Sequence, residues 1–139
     1  MKTTINVYLN FNGKCEQAMN FYKDCLGGDL TISKVAGSPV ENEFPPEKKN
    51  DVMHSELKKG DLLLMASDGC AGEYQQGTVV SLSLNCATEE EIRNYFEKLS
   101  VGGEVAEPLT EQFWGALFGR ITDKFGIKWL LNFDKTANA

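Results

Sequence analysis

His54 and Glu56 stand two apart in the run "VMHSELKK", residues 52–59, and on a strand that spacing puts both side chains on one face. An imidazole beside a carboxylate is a pairing suited to general-base work, because the acid orients the ring and stabilises the imidazolium formed when a proton is taken. Histidine is the side-chain type whose ordinary pKa lies nearest neutrality, and the chain contains one. The competing reading, a strand histidine making one structural hydrogen bond, stays open. Arg120 and Thr122 in "FGRITDKFG" repeat the spacing, and the guanidinium is suited to stabilising developing negative charge. Both tryptophans fall close by. Trp129 shares parity with Ile127, Leu131 and Phe133 and is expected in the core, whereas Trp114 sits in an irregular run with Phe113 and is expected to face a ligand or partner. Asp123 is expected to serve the "TDKFG" turn through its side chain.

Those residues must be positioned by elements, and the elements occur twice. "EQAMNFYKDCLGGDL" from Glu16 lies over "EEIRNYFEKLSVGGEV" from Glu90, matching Asn20 with Asn94, Phe21-Tyr22 with Tyr95-Phe96, and Gly27-Gly28 with Gly102-Gly103. Each reads as an amphipathic helix. Its apolar stripe is Cys15, Ala18, Met19, Tyr22, Cys25 and Leu26 in the first copy, and Ile92, Tyr95, Phe96 and Leu99 in the second. Thr88 and Glu91 have capping-box spacing, and the glycine pairs suit helix stops. "SELKKGDLLLM" from Ser55 overlays "ITDKFGIKWLL" from Ile121 at a constant offset, each a β-hairpin. With leading strands at 4–11 and 78–85 and short extended runs at 30–34 and 104–107, the order is strand, helix, strand, strand, strand, twice. The modules are expected at 1–68 and 78–139, joined by a linker at 69–77. "AGSPVENEFPPEKKN", residues 36–50, is expected to form a long mobile loop. The repeat sets Arg120 against His54 and Thr122 against Glu56. These four either present one cation, one acid and two hydrogen-bonding groups to a polar ligand, or form a solvated charge ladder worth little.

At 139 residues the chain can bury a core without disulfides or metal. A net charge of -6, with the basic pairs Lys48-Lys49 and Lys58-Lys59 isolated, argues against a nucleic-acid partner. Cys15, Cys25, Cys70 and Cys86 show no C-x-x-C or zinc-cluster spacing. No apolar run is long enough to span a membrane, and the start "MKTTINVYLNFN" carries no apolar leader, so a soluble cytoplasmic protein with reduced thiols is expected.

A duplicated β-α-β-β-β module, with "YLNFNGKCEQAMNFYKDCLGG" near the start and "FWGALFGRITDKFGIKWLLN" near the end, resembles the vicinal oxygen chelate superfamily of glyoxalase I, bleomycin-resistance proteins and extradiol dioxygenases. Within it the chain is similar to the PhnB-like branch, often labelled demethylubiquinone methyltransferase-like. The resemblance implies an α+β fold of tandem βαβββ modules whose curved mixed sheets form a cup with helices outside, a ligand site inside, and commonly a homodimer. In metal-dependent relatives it implies ligands from the first and last strands of each module. Strand parity turns Ile5, Val7, Leu9 and Phe11 toward the helix and Asn6, Tyr8 and Asn10 inward; it likewise turns Ser81, Ser83 and Asn85 inward. The implied metal-ligand positions then hold Tyr8, Leu64, Ser81 and Leu130, a set that suits no divalent cation. No cofactor is therefore expected; the alternative is a divalent metal ion held elsewhere, for instance by His54 with Glu56. Because the glycine pairs follow helices instead of opening them, a Rossmann-like site for S-adenosylmethionine is disfavoured.

The expected function is metal-independent binding of a small polar or aromatic molecule, with Asn6, Tyr8, His54, Glu56, Ser81, Arg120, Thr122 and Trp114 lining the site. The alternatives are an enzyme using His54 as base with Arg120 assisting, and a degenerate member kept as a dimerisation unit.

Overall fold

The apolar periodicities resolve into two helices and eight strands in a computed structural model that describes residues 2–69 and 74–135. The order is β1 (Val7–Asn10), α1 (Cys15–Leu26), β2 (Asp29–Lys34), β3 (Val52–Lys59), β4 (Leu62–Ser67), then β5 (Leu82–Asn85), α2 (Glu89–Leu99), β6 (Glu104–Glu111), β7 (Ala116–Thr122) and β8 (Lys128–Asp134). The chain divides into two compact units, residues 1–75 and 76–139. Each holds one helix and one four-stranded mixed sheet, ordered β1-β4-β3-β2 in the first and β5-β8-β7-β6 in the second. In each unit the first strand runs parallel to the last, and the other pairs are antiparallel. Of the expected linker, residues 70–73 lie outside the described residues, as do 136–139 of the second module.

Each helix covers one sheet face. On α1 the whole expected stripe, Cys15, Ala18, Met19, Tyr22, Cys25 and Leu26, is buried, against strand residues that include Leu57, Leu64 and Ala66. Its larger aliphatic members, Met19 and Leu26, each contribute about 1.5–3 kcal/mol when fully buried, so the stripe is what holds the helix to the sheet. Ser55, polar and 1% exposed, is accommodated there because its hydroxyl donates to the Ala66 carbonyl at 2.7 Å. On α2, Ile92, Tyr95 and Leu99 are buried. Thr88 Oγ1 accepts from the Glu91 backbone N–H at 3.1 Å, while Glu91 Oε1 accepts from the Ala87 N–H at 3.1 Å. The cap is thus closed one residue further out than the usual reciprocal box, and such caps are worth about 1 kcal/mol.

Several local expectations needed correction. The leading strands are shorter than 4–11 and 78–85, and Ile5 is 100% exposed instead of facing the helix. A bulge breaks the β2–β3 register, with Ser33 opposite His54 but Lys34 opposite Val52. Val52 therefore joins Ser55 and Leu57 on the buried side, and Met53 does not. The hairpins do not keep a constant offset. Lys59 pairs with Leu62 across a two-residue turn, whereas Thr122 pairs with Lys128 across a five-residue turn. An odd insertion reverses which face a residue meets. Leu64, in register with Val7 and Leu57, faces α1, and its open-face neighbour Met65 pairs with Tyr8 and Glu56 instead. Leu130 stays on the open face, in register with Ser83 and Arg120.

The buried thiols give the fold a pH dependence. Burial pushes the Cys15 thiol up to about 11 and the Cys86 thiol up to about 12, with nearby carboxylates adding to both. An unfolded thiol ionises near ~8.5. As pH rises above that value the unfolded chain releases protons that the folded chain keeps, so stability falls toward the folded pKa. The unfolding midpoint is expected to drop between pH 9 and about 11, and Cys15→Ala, which leaves other alkaline titrations in place, is expected to flatten that drop. An identical pH profile for the variant would count against the assignment.

Candidate functional site

On the first module the open side of the sheet carries a continuous polar chain. Tyr8 on β1 and His54 on β3 flank β4, and their rings lie 5.7 Å apart with planes 30° from parallel. The Tyr8 hydroxyl is 3.2 Å from His54 Nδ1, and His54 Nε2 is 3.1 Å from Glu56 Oε1. Lys58 Nζ lies 3.4 Å from the other Glu56 oxygen. Hydrogen bonding from His54, then from Lys58, holds the Glu56 carboxyl below the usual carboxylate range. An ionised carboxylate only accepts, so Nε2 carries a proton, and in the neutral ring Nδ1 is left to accept from the Tyr8 O–H. Both ring nitrogens are thereby engaged, and the ends of the chain open to a ligand are the Tyr8 phenol, 43% exposed, and the Lys58 ammonium, 65% exposed. Asn6 precedes β1, exposed, and donates to Thr4 Oγ1 at 3.1 Å.

The second module presents different chemistry on its own open face. Arg120 Nε lies 3.0 Å from Glu107 Oε1 on the neighbouring strand, and its guanidinium sits 5.4 Å from the Phe118 ring centroid. Phe118 in turn contacts Trp114 edge-on at 6.3 Å, and Trp114 contacts Phe113 at 5.0 Å. Trp114 is 50% and Phe113 98% exposed, in the turn between β6 and β7. Thr122 Oγ1 accepts from Lys128 Nζ at 3.3 Å. Ser81 is exposed, one residue before β5.

Within the first unit the structure therefore brings Tyr8, His54 and Glu56 into contact. Within the second it links Arg120 to Trp114 through Phe118, and leaves Ser81 and Thr122 outside that cluster. Lys58 shares strand parity with His54 and Glu56, and Phe118 lies beside Trp114, both legible in the sequence. Sequence reasoning missed Glu107, which needed the irregular β6–β7 register. Cys86 is a buried thiol, and Asp123 caps its turn as expected, accepting from the Phe125 and Ile127 N–H groups at 2.8 and 3.1 Å.

A divalent cation fits none of these groups well. Positions along the first and last strands carry Tyr8 and Met65 in one module, Ser83 and Leu130 in the other, which supply no carboxylate or imidazole. Among the described residues no three His, Cys, Asp or Glu side chains converge as a metal requires. A methyl-donor nucleotide site of the Rossmann kind is likewise unsupported, since Gly27 caps the C-terminal end of α1.

Two α+β units, each with a helix over a mixed four-stranded sheet, define the glyoxalase/bleomycin resistance fold. Fold likeness extends to a glyoxalase/bleomycin resistance protein/dioxygenase family enzyme from Burkholderia phytofirmans PsJN, with a TM-score of 0.55 at 11% identity over 94% of this chain and 95% of that one. More specifically, residues 3–132 match the family described as 3-demethylubiquinone-9 3-methyltransferase, and the chain belongs to that PhnB-like family. It is similar to protein PA1353 from Pseudomonas aeruginosa, at 38% identity and a TM-score of 0.82, covering 96% of this chain and 98% of that one. A PhnB protein from Bacillus cereus, titled a putative 3-demethylubiquinone-9 3-methyltransferase, is 30% identical with a TM-score of 0.74, covering 94% and 99%. Protein YjdN of Escherichia coli strain K12 is 28% identical over 92% of this chain and 93% of its own length.

Proposed function

We propose that the protein binds a small polar or aromatic molecule without a metal, on the open faces of its sheets, as a cytoplasmic homodimer. The observation that carries this reading is the Tyr8–His54–Glu56 chain: an oriented phenol beside an apolar Met65 is a group placed to recognise, and its partners fix its direction before a ligand arrives. Asn6 adds a polar group beside β1, and on the second sheet's own open face Arg120 and Trp114, with Ser81 and Thr122, are the proposed contacts. The buried free thiols Cys15 and Cys86 suit a reducing compartment, and the exposed Phe113 suits burial against a second copy.

The same chain favours one second reading, an enzyme of this fold. With both imidazole nitrogens engaged, the proton would leave or enter through the Tyr8 hydroxyl, while His54 takes it at Nδ1 and Glu56 stabilises the imidazolium.

The test is thermal unfolding of chelator-treated protein with small phenols, aromatic acids and polar metabolites, and in parallel with Mn, Ni, Zn, Co and Mg ions. A ligand at ~100 times its Kd adds ~2.7 kcal/mol and moves the midpoint by several degrees. An organic shift that Tyr8→Phe weakens about tenfold, and that His54→Gln leaves within about threefold, is the expected result. A saturable shift with one ion overturns the metal-free reading. If the organic compound is turned over and His54→Gln abolishes that turnover with binding intact, the enzyme reading replaces the binding one.

A further inference from the structure

The loop between β2 and β3 closes over a hollow whose lining includes none of Tyr8, His54 and Glu56. Its neck is tied by the Val35 N–H donating to the Asp51 carbonyl at 3.0 Å and the Ala36 N–H donating to the Lys49 carbonyl at 2.9 Å. Glu41 braces it internally, accepting from the Gly37 N–H at 3.1 Å and pairing with Lys49 at 3.5 Å. Short helical turns at Glu41–Glu43 and Pro46–Lys48 punctuate this long loop. The hollow measures about 260 Å³, with Val35, Phe44, Pro45, Val52 and Met53 as apolar walls. At interior packing density that space takes about ten non-hydrogen atoms.

One polar group sets its chemistry. Asp68 also lines the hollow and is 8% exposed. Its Oδ1 accepts from the Gly13 and Cys15 N–H groups, both at 2.9 Å, and its Oδ2 accepts from the Val52 N–H at 2.9 Å. A carboxylate offers about four acceptor sites, so Oδ2 retains capacity for one further donor. At the mouth, Lys48 and Asp51 pair at 3.7 Å and offset each other, so the Asp68 side chain is the group that selects what enters. The geometry points to a binding site for a compact aromatic molecule of about ten non-hydrogen atoms carrying an N–H donor, the ring against Phe44, Val52 and Met53 and the donor on Asp68 Oδ2. An anion of the same shape is rejected.

Indole and indene share shape and differ in the N–H, which makes them the probes. In amide-resolved NMR titrations of the full chain, indole is expected to shift Val52, Met53 and Gly69 saturably. Indene is expected to bind at the same place at least about tenfold more weakly, the lower end of what a hydrogen bond to a charged group is worth. Phe44→Ala, on an exposed wall, should weaken both, and Tyr8→Phe should change neither. Equal affinities for the two probes, or shifts confined to residues outside the hollow, would overturn the inference. Loss of indole binding in Tyr8→Phe would also overturn it, by moving the ligand to the open face.

Discussion

Asp123→Ala is expected to lower stability by on the order of 3–5 kcal/mol. The side chain is 3% exposed and accepts three hydrogen bonds: from the Phe125 and Ile127 backbone N–H groups within its own turn, and from Trp129 Nε1 at 2.9 Å. Truncation leaves two turn donors and a buried indole N–H without that acceptor, and Trp129 is itself 3% exposed. Burying an unpaired donor costs about 1–3 kcal/mol, and the sum falls short of additivity because the turn can admit water. Urea unfolding followed by tryptophan fluorescence measures it, with Asp123→Asn, which keeps one acceptor oxygen, falling between wild type and Ala. A loss below about 1 kcal/mol would mean that the turn is held by its backbone alone.

Gly103→Ala is expected to cost about 1–3 kcal/mol or more through overpacking. A Cβ at Gly103 would be driven into the Thr122 carbonyl oxygen and to 2.9 Å from Asp123 backbone carbon. Backbone atoms in a paired strand cannot swing aside. Its repeat partner Gly28 meets the same obstacle, 2.5 Å from the Lys58 carbonyl oxygen, and has φ +98° besides. The neighbouring Gly102 would touch only the flexible Lys124 side chain; there the constraint is its φ of +76°. Comparing Gly102→Ala with Gly103→Ala in chemical denaturation therefore separates backbone strain from steric exclusion. Equal stability of Gly103→Ala and wild type would show that the helix end can lift off the hairpin.

The glycine pairs illustrate what the sequence could and could not disclose. Their repetition marked both helix ends, and the apolar stripes located both helices and the faces they bury, because those patterns depend on periods that the chain carries locally. Register does not. Leu64 was assigned to the open face because the two hairpins look alike residue for residue, and only the turn lengths, two against five, reverse it. Val52 is buried where plain alternation from Ser55 and Leu57 would bury Met53, because a bulge shifts alternation without changing composition. At the candidate site, the pairing of His54 with Glu56 is an i, i+2 relation within one strand and could be read directly. The Tyr8 contact could not, because it reaches across β4 from a strand 46 positions earlier. Asp68 escaped notice altogether: a lone acid at a strand end gives no hint of the three backbone donors that fold around it.

The parallel pairing of β1 with β4, and of β5 with β8, bears on how the chain is made. Every hydrogen-bonded ladder of the first sheet joins strands between residues 7 and 67, so nothing from residues 76–139 is needed to complete it. A ribosome adding ~5–20 residues per second takes on the order of 3–13 s to produce that second unit, while small mixed α/β domains fold within milliseconds to about a second. The first module can thus finish closing before the second is translated. It does so with no sister copy yet present to offer its similarly arranged strands as wrong partners, a hazard that tandem duplication would otherwise create.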